Sequence, residues 1–482
     1  MTNWTTPFAS SQNGSRIMLT GAAILLGALV ARHGATPAFA VGMASLIAYA
    51  SFAALSVIEP LVFVIAFLVA LEIFPPLYLV RSGDQPLYLS CFLLPVGFLV
   101  IVIRFRDMHF TWDPLAKGLA GFLACTACSL PFAAWLSGAQ AGWASLARWL
   151  LLSQTALVYF LTRGGARQQE SRTERALYPV LYLAAGLSAG YGIVDFIWPI
   201  PLPHPALDQF IWLDTTALRR AQGVFYESLS FANFCGFFVV LGSAAIISKR
   251  ESYLRLPRWL LIVFTIVFSL AVLVSFSRST WVAIAAALAV FSFQSKLINA
   301  RRAAVLLLAL GVPLVLLWTF SPELWRYFLE VRVGRLAELL SDPDFATSGR
   351  FGTWLHVLDI IRQHPQYLAF GIGYKTLSFT RLFHGSIIVD NGFLSLLLET
   401  GIVGLAGFLI FSAAILKTFY CLAKQETGPV AFWAALMFAL WCGEMVQLMA
   451  VDAYTFWRNM SVLTALMALT MNRAERGQRC FQ

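Results

Sequence analysis

Apolar runs of about 17–25 residues recur along the chain between short polar stretches, and that is the length a helix needs to cross a bilayer. Candidate spans fall near 17–31, 36–56, 60–80, 87–103, 115–136, 143–162, 176–198, 224–248, 257–277, 280–296, 303–320, 391–417, 430–450 and 455–471. The runs are too long and too uniformly apolar for the alternating strands of a barrel, so helical spans are expected. The pattern predicts an all-α polytopic membrane protein with about 12–14 transmembrane helices. One interval breaks the rhythm. Residues 321–390 hold Arg326, Arg332, Arg335, Asp342, Asp344, Arg350, Arg362, Lys375, Arg381 and Asp390, together with His356, His364 and His384. A polar insertion of this length between two spans points to a working part. The expected organisation is N-terminal transmembrane helices over 1–320, with an outer loop at 199–222. A loop domain over 321–390 follows, and then C-terminal transmembrane helices with a short tail over 391–482.

The insertion has a readable order. Ser321-Pro322-Glu323 opens a helix that Ser341-Asp342-Pro343-Asp344 ends. Thr347-Ser348-Gly349-Arg350 starts a second, with Phe351, Trp354, Leu355, Leu358 and Ile361 as its apolar face and His364-Pro365 as its stop. Gly371-Ile372-Gly373-Tyr374 reads as a turn. Asp390-Asn391-Gly392 caps the next span, which runs through Glu399-Thr400-Gly401.

Composition agrees with a membrane protein. The chain of 482 residues is 59% hydrophobic and 12% charged, with a mean hydropathy of +0.75, which excludes an ordinary soluble domain. The net charge of +10 is spread over short loops and forms no basic stripe, so nucleic acid is not the expected partner. Cys125 and Cys128 have no second Cys/His pair nearby, and no metal site is expected. Lys and Arg concentrate in alternate loops, around Arg104, Arg163–Arg175, Lys249–Arg258, Lys296–Arg302, Lys417–Lys424 and Arg473–Arg479. Such loops face the cytoplasm. Both termini are then cytoplasmic, and 199–222 and 321–390 lie on the opposite face.

Six arginines go against that bias: Arg148, Arg219, Arg220, Arg278, Arg350 and Arg458. Arginine at membrane depth needs a partner or a function. Guanidinium groups stay charged and bind phosphate oxygens in pairs, so a set of them on one face suggests an anion site. Arg350 opens a helix, where a cation opposes the macrodipole and a neighbouring anion would relieve it. Asp390 and His384 are the candidate proton acceptors on that face. Snorkelling, helix capping and pairing with Asp195, Glu227, Glu399, Glu444 or Asp452 are the structural alternatives.

These residues carry a resemblance. Thr347-Ser348-Gly349-Arg350 with Trp354, His364-Pro365, Gly371-Ile372-Gly373-Tyr374, and Asp390-Asn391-Gly392-Phe393 through Glu399-Thr400-Gly401-Ile402-Val403-Gly404-Leu405 resemble the O-antigen ligase and Wzy-type polymerase superfamily. Ser277-Arg278-Ser279 and Arg220 through Gln222-Gly223-Val224-Phe225 fit the same pattern, so the resemblance covers about 220–410. It implies a multi-pass integral glycosyltransferase, GT-C-like, in the bacterial inner membrane. Such an enzyme uses undecaprenyl-pyrophosphate-linked glycans on the periplasmic side, without nucleotide sugar, metal or other cofactor. Other polysaccharide-assembly proteins are possible partners. By this resemblance Arg220 and Arg350, with Arg278 and Arg219 beside them, contact pyrophosphate. Many ligases have a histidine where this chain has Asp390, which tilts the resemblance toward a polymerase.

Lipid pyrophosphate is already a good leaving group. What remains is to stabilise the developing negative charge and to take a proton from the acceptor hydroxyl. Arg350 and its neighbours suit the first task, and Asp390 or His384 the second. A ligase moving finished polymer to another acceptor is the nearest alternative. A flippase for the same lipid-linked glycan is an alternative of another class.

Overall fold

A computed structural model of the protein describes residues 37–82, 85–108, 111–165, 171–199, 209–213, 216–295, 319, 342, 344, 349–377, 380 and 389–479. The chain divides into two units, 1–58 and 59–482. The described part of the first is one apolar helix, α1 (Pro37–Ile58). The second begins with α2 (Pro60–Ile73), a short antiparallel hairpin β1 (Leu77–Ser82) and β2 (Gln85–Leu87), and α3 (Leu94–Arg104). Then come α4 (Pro114–Ala127), α5 (Leu130–Ser137), α6 (Ala139–Gly164) and α7 (Arg172–Ile197). A second hairpin pairs β3 (Phe210–Leu213) with β4 (Thr216–Arg219). After it run α8 (Ser228–Ser248), α9 (Arg258–Val274), α10 (Arg278–Gln294), α11 (Arg350–Gln363), α12 (Gly392–Gln425), α13 (Gly428–Gln447) and α14 (Trp457–Arg479).

Among the described residues six helical segments are long and apolar enough to cross a membrane: Pro114–Ser137, α6, α7, α8, α12 and α13. The protein is an all-α polytopic membrane protein, with two small hairpins between its helices. Every predicted span that falls among the described residues contains a helix. The segment 17–31 lies outside them, as does 303–320 apart from Thr319. Helices α4 and α7 start at side-chain caps. Asp113 precedes Pro114 and accepts from Ala116 N at 2.8 Å; Ser171 accepts from Glu174 N at 3.0 Å.

Helix α8 is apolar all round and lies in the middle of the bundle, packed by α9 and α10, as such a helix must be. Phe238 stacks on Phe268 of α9 at 5.2 Å, and Tyr182 of α7 shares a 3.0 Å hydrogen bond with Thr265. Lipid is as apolar as these side chains, so dispersion and interhelical hydrogen bonds carry this packing.

Three expectations change. The apolar run 60–80 is not one span: α2 stops at Ile73, before Pro75-Pro76, and the chain turns into β1. The buried face of α11 is Val357 and Ile360, with Trp354 half-buried, while Phe351, Leu355 and Leu358 are exposed. A small core with Ile372, Leu377, Val389 and Leu398 selects that face, and Trp354 Nε1 donates to the Val389 carbonyl at 3.0 Å. The helix expected over Ser321–Leu339 lies outside the described residues.

The third change sets up the site. Helix α12 is broken at Gly401, where φ is 68° and ψ −171°, a conformation essentially confined to glycine. Backbone groups freed at membrane depth need partners inside the protein, and residues 368–373 supply them. Ile372 N donates to Leu398 O at 3.1 Å and Gly373 N to Glu399 O at 2.9 Å. In return Ile402 N donates to Leu368 O at 2.8 Å and Val403 N to Ala369 O at 3.2 Å. The contact is backbone to backbone. A Cβ on Gly371 would lie 2.3 Å from the Glu399 carbonyl, and one on Gly401 would lie 2.2 Å from Ala369 O.

Candidate active site

The docked turn carries Lys375 to one end of the bundle. Lys375 itself is left-handed, with φ 55°. Its carbonyl accepts from Arg148 of α6, and the preceding Tyr374 carbonyl accepts from Ser145 Oγ at 2.5 Å. Lys375 Nζ reaches Asp452 Oδ2 at 2.8 Å, and Ser395 Oγ donates to the same oxygen at 3.0 Å. Burial disfavours the Lys375 ammonium, but Asp452 and Glu399 together outweigh it and hold the group above its ordinary range.

Lys375 borders a cavity of about 460 Å³. Arg148, Lys375 and Arg458 are its cations, and Glu227, Asp390, Glu399 and Asp452 its carboxylates. Tyr88, Phe225, Tyr226, Tyr374, Phe456 and Trp457 add aromatic walls. Arg458 is fixed by backbone carbonyls of Leu71, Phe74 and Val224, and lies 4.0 Å over the Phe225 ring and 5.3 Å over that of Tyr88. These carbonyls and ring faces orient its guanidinium. Glu227 precedes α8 without capping it, and next to it Gln209 Oε1 accepts from Ser228 N at 3.1 Å and from Ser228 Oγ at 2.6 Å. Burial pushes the Glu227 carboxyl up, Lys375 and Arg148 oppose this, and Asp452 and Asp390 add to it.

Arg350 opens α11, and its Nε meets Asp390 Oδ2 at 3.0 Å. The anion beside this helix start is thus a carboxylate of the chain itself. Asp390 is left-handed, with φ 45°, and does not cap α12. Asn391 does, accepting from Phe393 N and Leu394 N at 3.1 Å each. His384 lies outside the described residues.

The remaining predicted arginines sit elsewhere on this end. Arg219 pairs with Asp195 of α7, Nη2 to Oδ2 at 2.8 Å. Arg220 Nε donates to the Ser275 carbonyl at 2.8 Å, and Ala221 N to Val274 O at 3.1 Å. That places Arg220 against the turn leading to Arg278, the first residue of α10. The cavity lining does not include Arg219, Arg220 or Arg278, whereas Arg148 and Arg458 do line it. Lys375, Glu227 and Asp452 carry more of the site than their sequence context indicated. For Lys375 the available signal was its place directly after Gly371-Ile372-Gly373-Tyr374.

These features define a multi-pass membrane protein with a charged, aromatic-walled cavity at one end of its bundle, reached by a turn that a broken helix receives. Residues 228–409 match the family model described as O-Antigen ligase, a similarity that supports the resemblance to the O-antigen ligase/Wzy superfamily. The match contains α8–α11, α12 as far as residue 409, the Gly371–Tyr374 turn and the Arg350–Asp390 pair. No curated protein matches the chain. That family is one of glycosyl-transferring membrane enzymes that act on lipid-linked glycans, and the match supports a function of that general kind.

Proposed function

We propose that the chain polymerises undecaprenyl-pyrophosphate-linked oligosaccharide repeat units on the periplasmic face of the bacterial inner membrane. The observation that supports this most is the pairing of cations and carboxylates around one cavity of about 460 Å³. The cations suit a leaving pyrophosphate, the carboxylates and aromatic rings an acceptor sugar. In this reading Arg148, Lys375 and Arg458 hold the pyrophosphate, Arg350 contacts it from the rim, and Asp390 sets the Arg350 guanidinium. Arg219, Arg220 and Arg278 attract the donor at the neighbouring edge, and His384 belongs to the acceptor side. No step calls for a metal or organic cofactor. Segment 321–390 serves as a periplasmic loop domain between the helices of 1–320 and 391–482, with both termini cytoplasmic.

The test is reconstitution of the purified protein with lipid-linked repeat units. Chains of increasing length are the expected product. Transfer of preformed polymer to a second acceptor, with no growth of single units, would make the enzyme a ligase. Movement of the glycan across the bilayer without new glycosidic bonds would make it a transporter. Orientation is checked separately. A cysteine at the exposed Asp342 should be labelled in intact spheroplasts by an impermeant reagent, and labelling only after lysis would reverse the orientation.

A further inference from the structure

Resting on that reading of the cavity, we infer that Glu227 is the group that takes the proton from the acceptor hydroxyl. Four carboxylates border the cavity; two are held by cations and a third is shut away from solvent. Asp390 is held by Arg350, and Asp452 by Lys375 and Ser395. Glu399 is 1% exposed, inside α12 behind the docked turn. Glu227 is half-buried, reaches the cavity, and its side chain has no hydrogen-bond or ion-pair partner among the described residues. Glu227 stands at the N-cap position of α8 but makes no side-chain capping hydrogen bond, which leaves both its oxygens for another donor.

The step balances simply. The acceptor O–H gives its proton to the Glu227 carboxylate. The oxygen's electron pair forms the new bond to the anomeric carbon. The bond from that carbon to the pyrophosphate oxygen breaks, and its electron pair leaves with the lipid pyrophosphate. The added negative charge appears beside Arg148, Lys375 and Arg458. The proton on Glu227 then passes to water.

A base of this kind is worth about 10²–10⁴-fold in rate. Glu227→Gln keeps size and hydrogen bonding but cannot accept a proton. In the reconstituted assay its kcat should fall at least about 10²-fold, with KM for the lipid-linked donor essentially unchanged. Wild type should lose rate as pH falls through the Glu227 titration, above the ordinary carboxylate range. Lys375, Arg148 and Arg458 face that group as cations, and Asp452, Asp390 and Glu399 as acids. The residual Glu227→Gln rate should lack this acid limb, and Glu227→Asp should retain it at reduced rate. Wild-type kcat in Glu227→Gln, or an unchanged acid limb, overturns the inference. So does a loss confined to KM. Should Glu227→Gln not fold, an acid limb absent from Glu227→Asp overturns it equally. An inactive wild type overturns the transferase reading and this inference with it, whereas an active wild type beside an equally active Glu227→Gln overturns this inference alone.

Discussion

Helices α6 and α14 each join two charged regions that are built on opposite rules. Arg148 and Arg163 both belong to α6 and lie about 22 Å apart at 1.5 Å per residue; α14 likewise carries Arg458 near its start and Arg473 and Arg476 near its end. At the Arg163 end the buried charges among the described residues meet one another. Asp113 accepts from Arg163 Nε at 3.0 Å and from Tyr159 OH at 2.9 Å, and Arg163 reaches Thr111, Asn472 and Glu475 as well. Glu174, fully buried, receives both Nη groups of Arg476, with Arg473 Nε at 3.7 Å. This is a staple that ties α4, α6, α7 and α14 together. At the Arg148 end the charges are only partly matched. Lys375 and Arg350 have carboxylates, carbonyls and rings hold Arg458, and the Glu227 side chain makes no hydrogen bond or ion pair among the described residues. Saturated networks hold a fold, and unsaturated ones leave capacity for a ligand.

The comparison breaks first at the staple. Glu174→Gln strips two arginines of a buried counter-charge, and losing one side of a buried pair costs about 3–5 kcal/mol. The solubilised protein should melt well below wild type, while activity per folded molecule stays within about twofold. An equal melting temperature would deny the staple its role. Next comes the break in α12. Gly401→Ala forces a Cβ into Ala369 O and into a conformation that alanine avoids, for about 2–4 kcal/mol. Because that break receives the turn carrying Lys375, both stability and turnover should fall. A loss of stability alone would separate the break from the cavity.

Why the sequence revealed one region better than the other follows from the same contrast. Spans are legible because bilayer thickness sets their length, and Pro75-Pro76 was a visible stop that the apolar run 60–80 masked. Arg148 and Arg458 stood out because arginine is costly where they lie. The break at Gly401 leaves no trace in hydropathy, since Gly401-Ile402-Val403-Gly404 is as apolar as the helix around it. Without the break there is no reason to bring Lys375 to Asp452, or to set either beside Glu227. The face of α11 was ambiguous because Phe351, Leu355 and Leu358 repeat at helical spacing just as Val357 and Ile360 do; only the core around Val389 decides between them.

On the cavity side, Arg350→Lys keeps a charge but loses the planar fork that Asp390 meets through Nε. Activity with the lipid-linked donor should fall about 10–100-fold, with melting shifted by less than about 0.5 kcal/mol equivalent. A larger stability change would move Arg350 from the unsaturated region to the saturated one.

The smallest effect comes from two adjacent residues, and it is the sharpest division between holding and acting. Asn391 caps α12 through Phe393 N and Leu394 N, and its Nδ2 donates to Met449 O at 3.3 Å. Asn391→Ala should cost about 1 kcal/mol of stability and leave the rate per folded molecule near wild type. Asp390→Asn preserves that cap, and asparagine tolerates the left-handed conformation at φ 45°. It replaces the carboxylate facing Arg350 with a neutral amide. Stability should therefore barely move, while turnover falls by about tenfold as the guanidinium loses its charged orienting partner. Thermal melting and repeat-unit polymerisation, measured on both variants side by side, separate the two roles. A stability loss in Asp390→Asn matching that of Asn391→Ala, with no loss of rate, would make the pair Arg350–Asp390 a second staple and confine the working charges to Arg148, Lys375, Arg458 and Glu227.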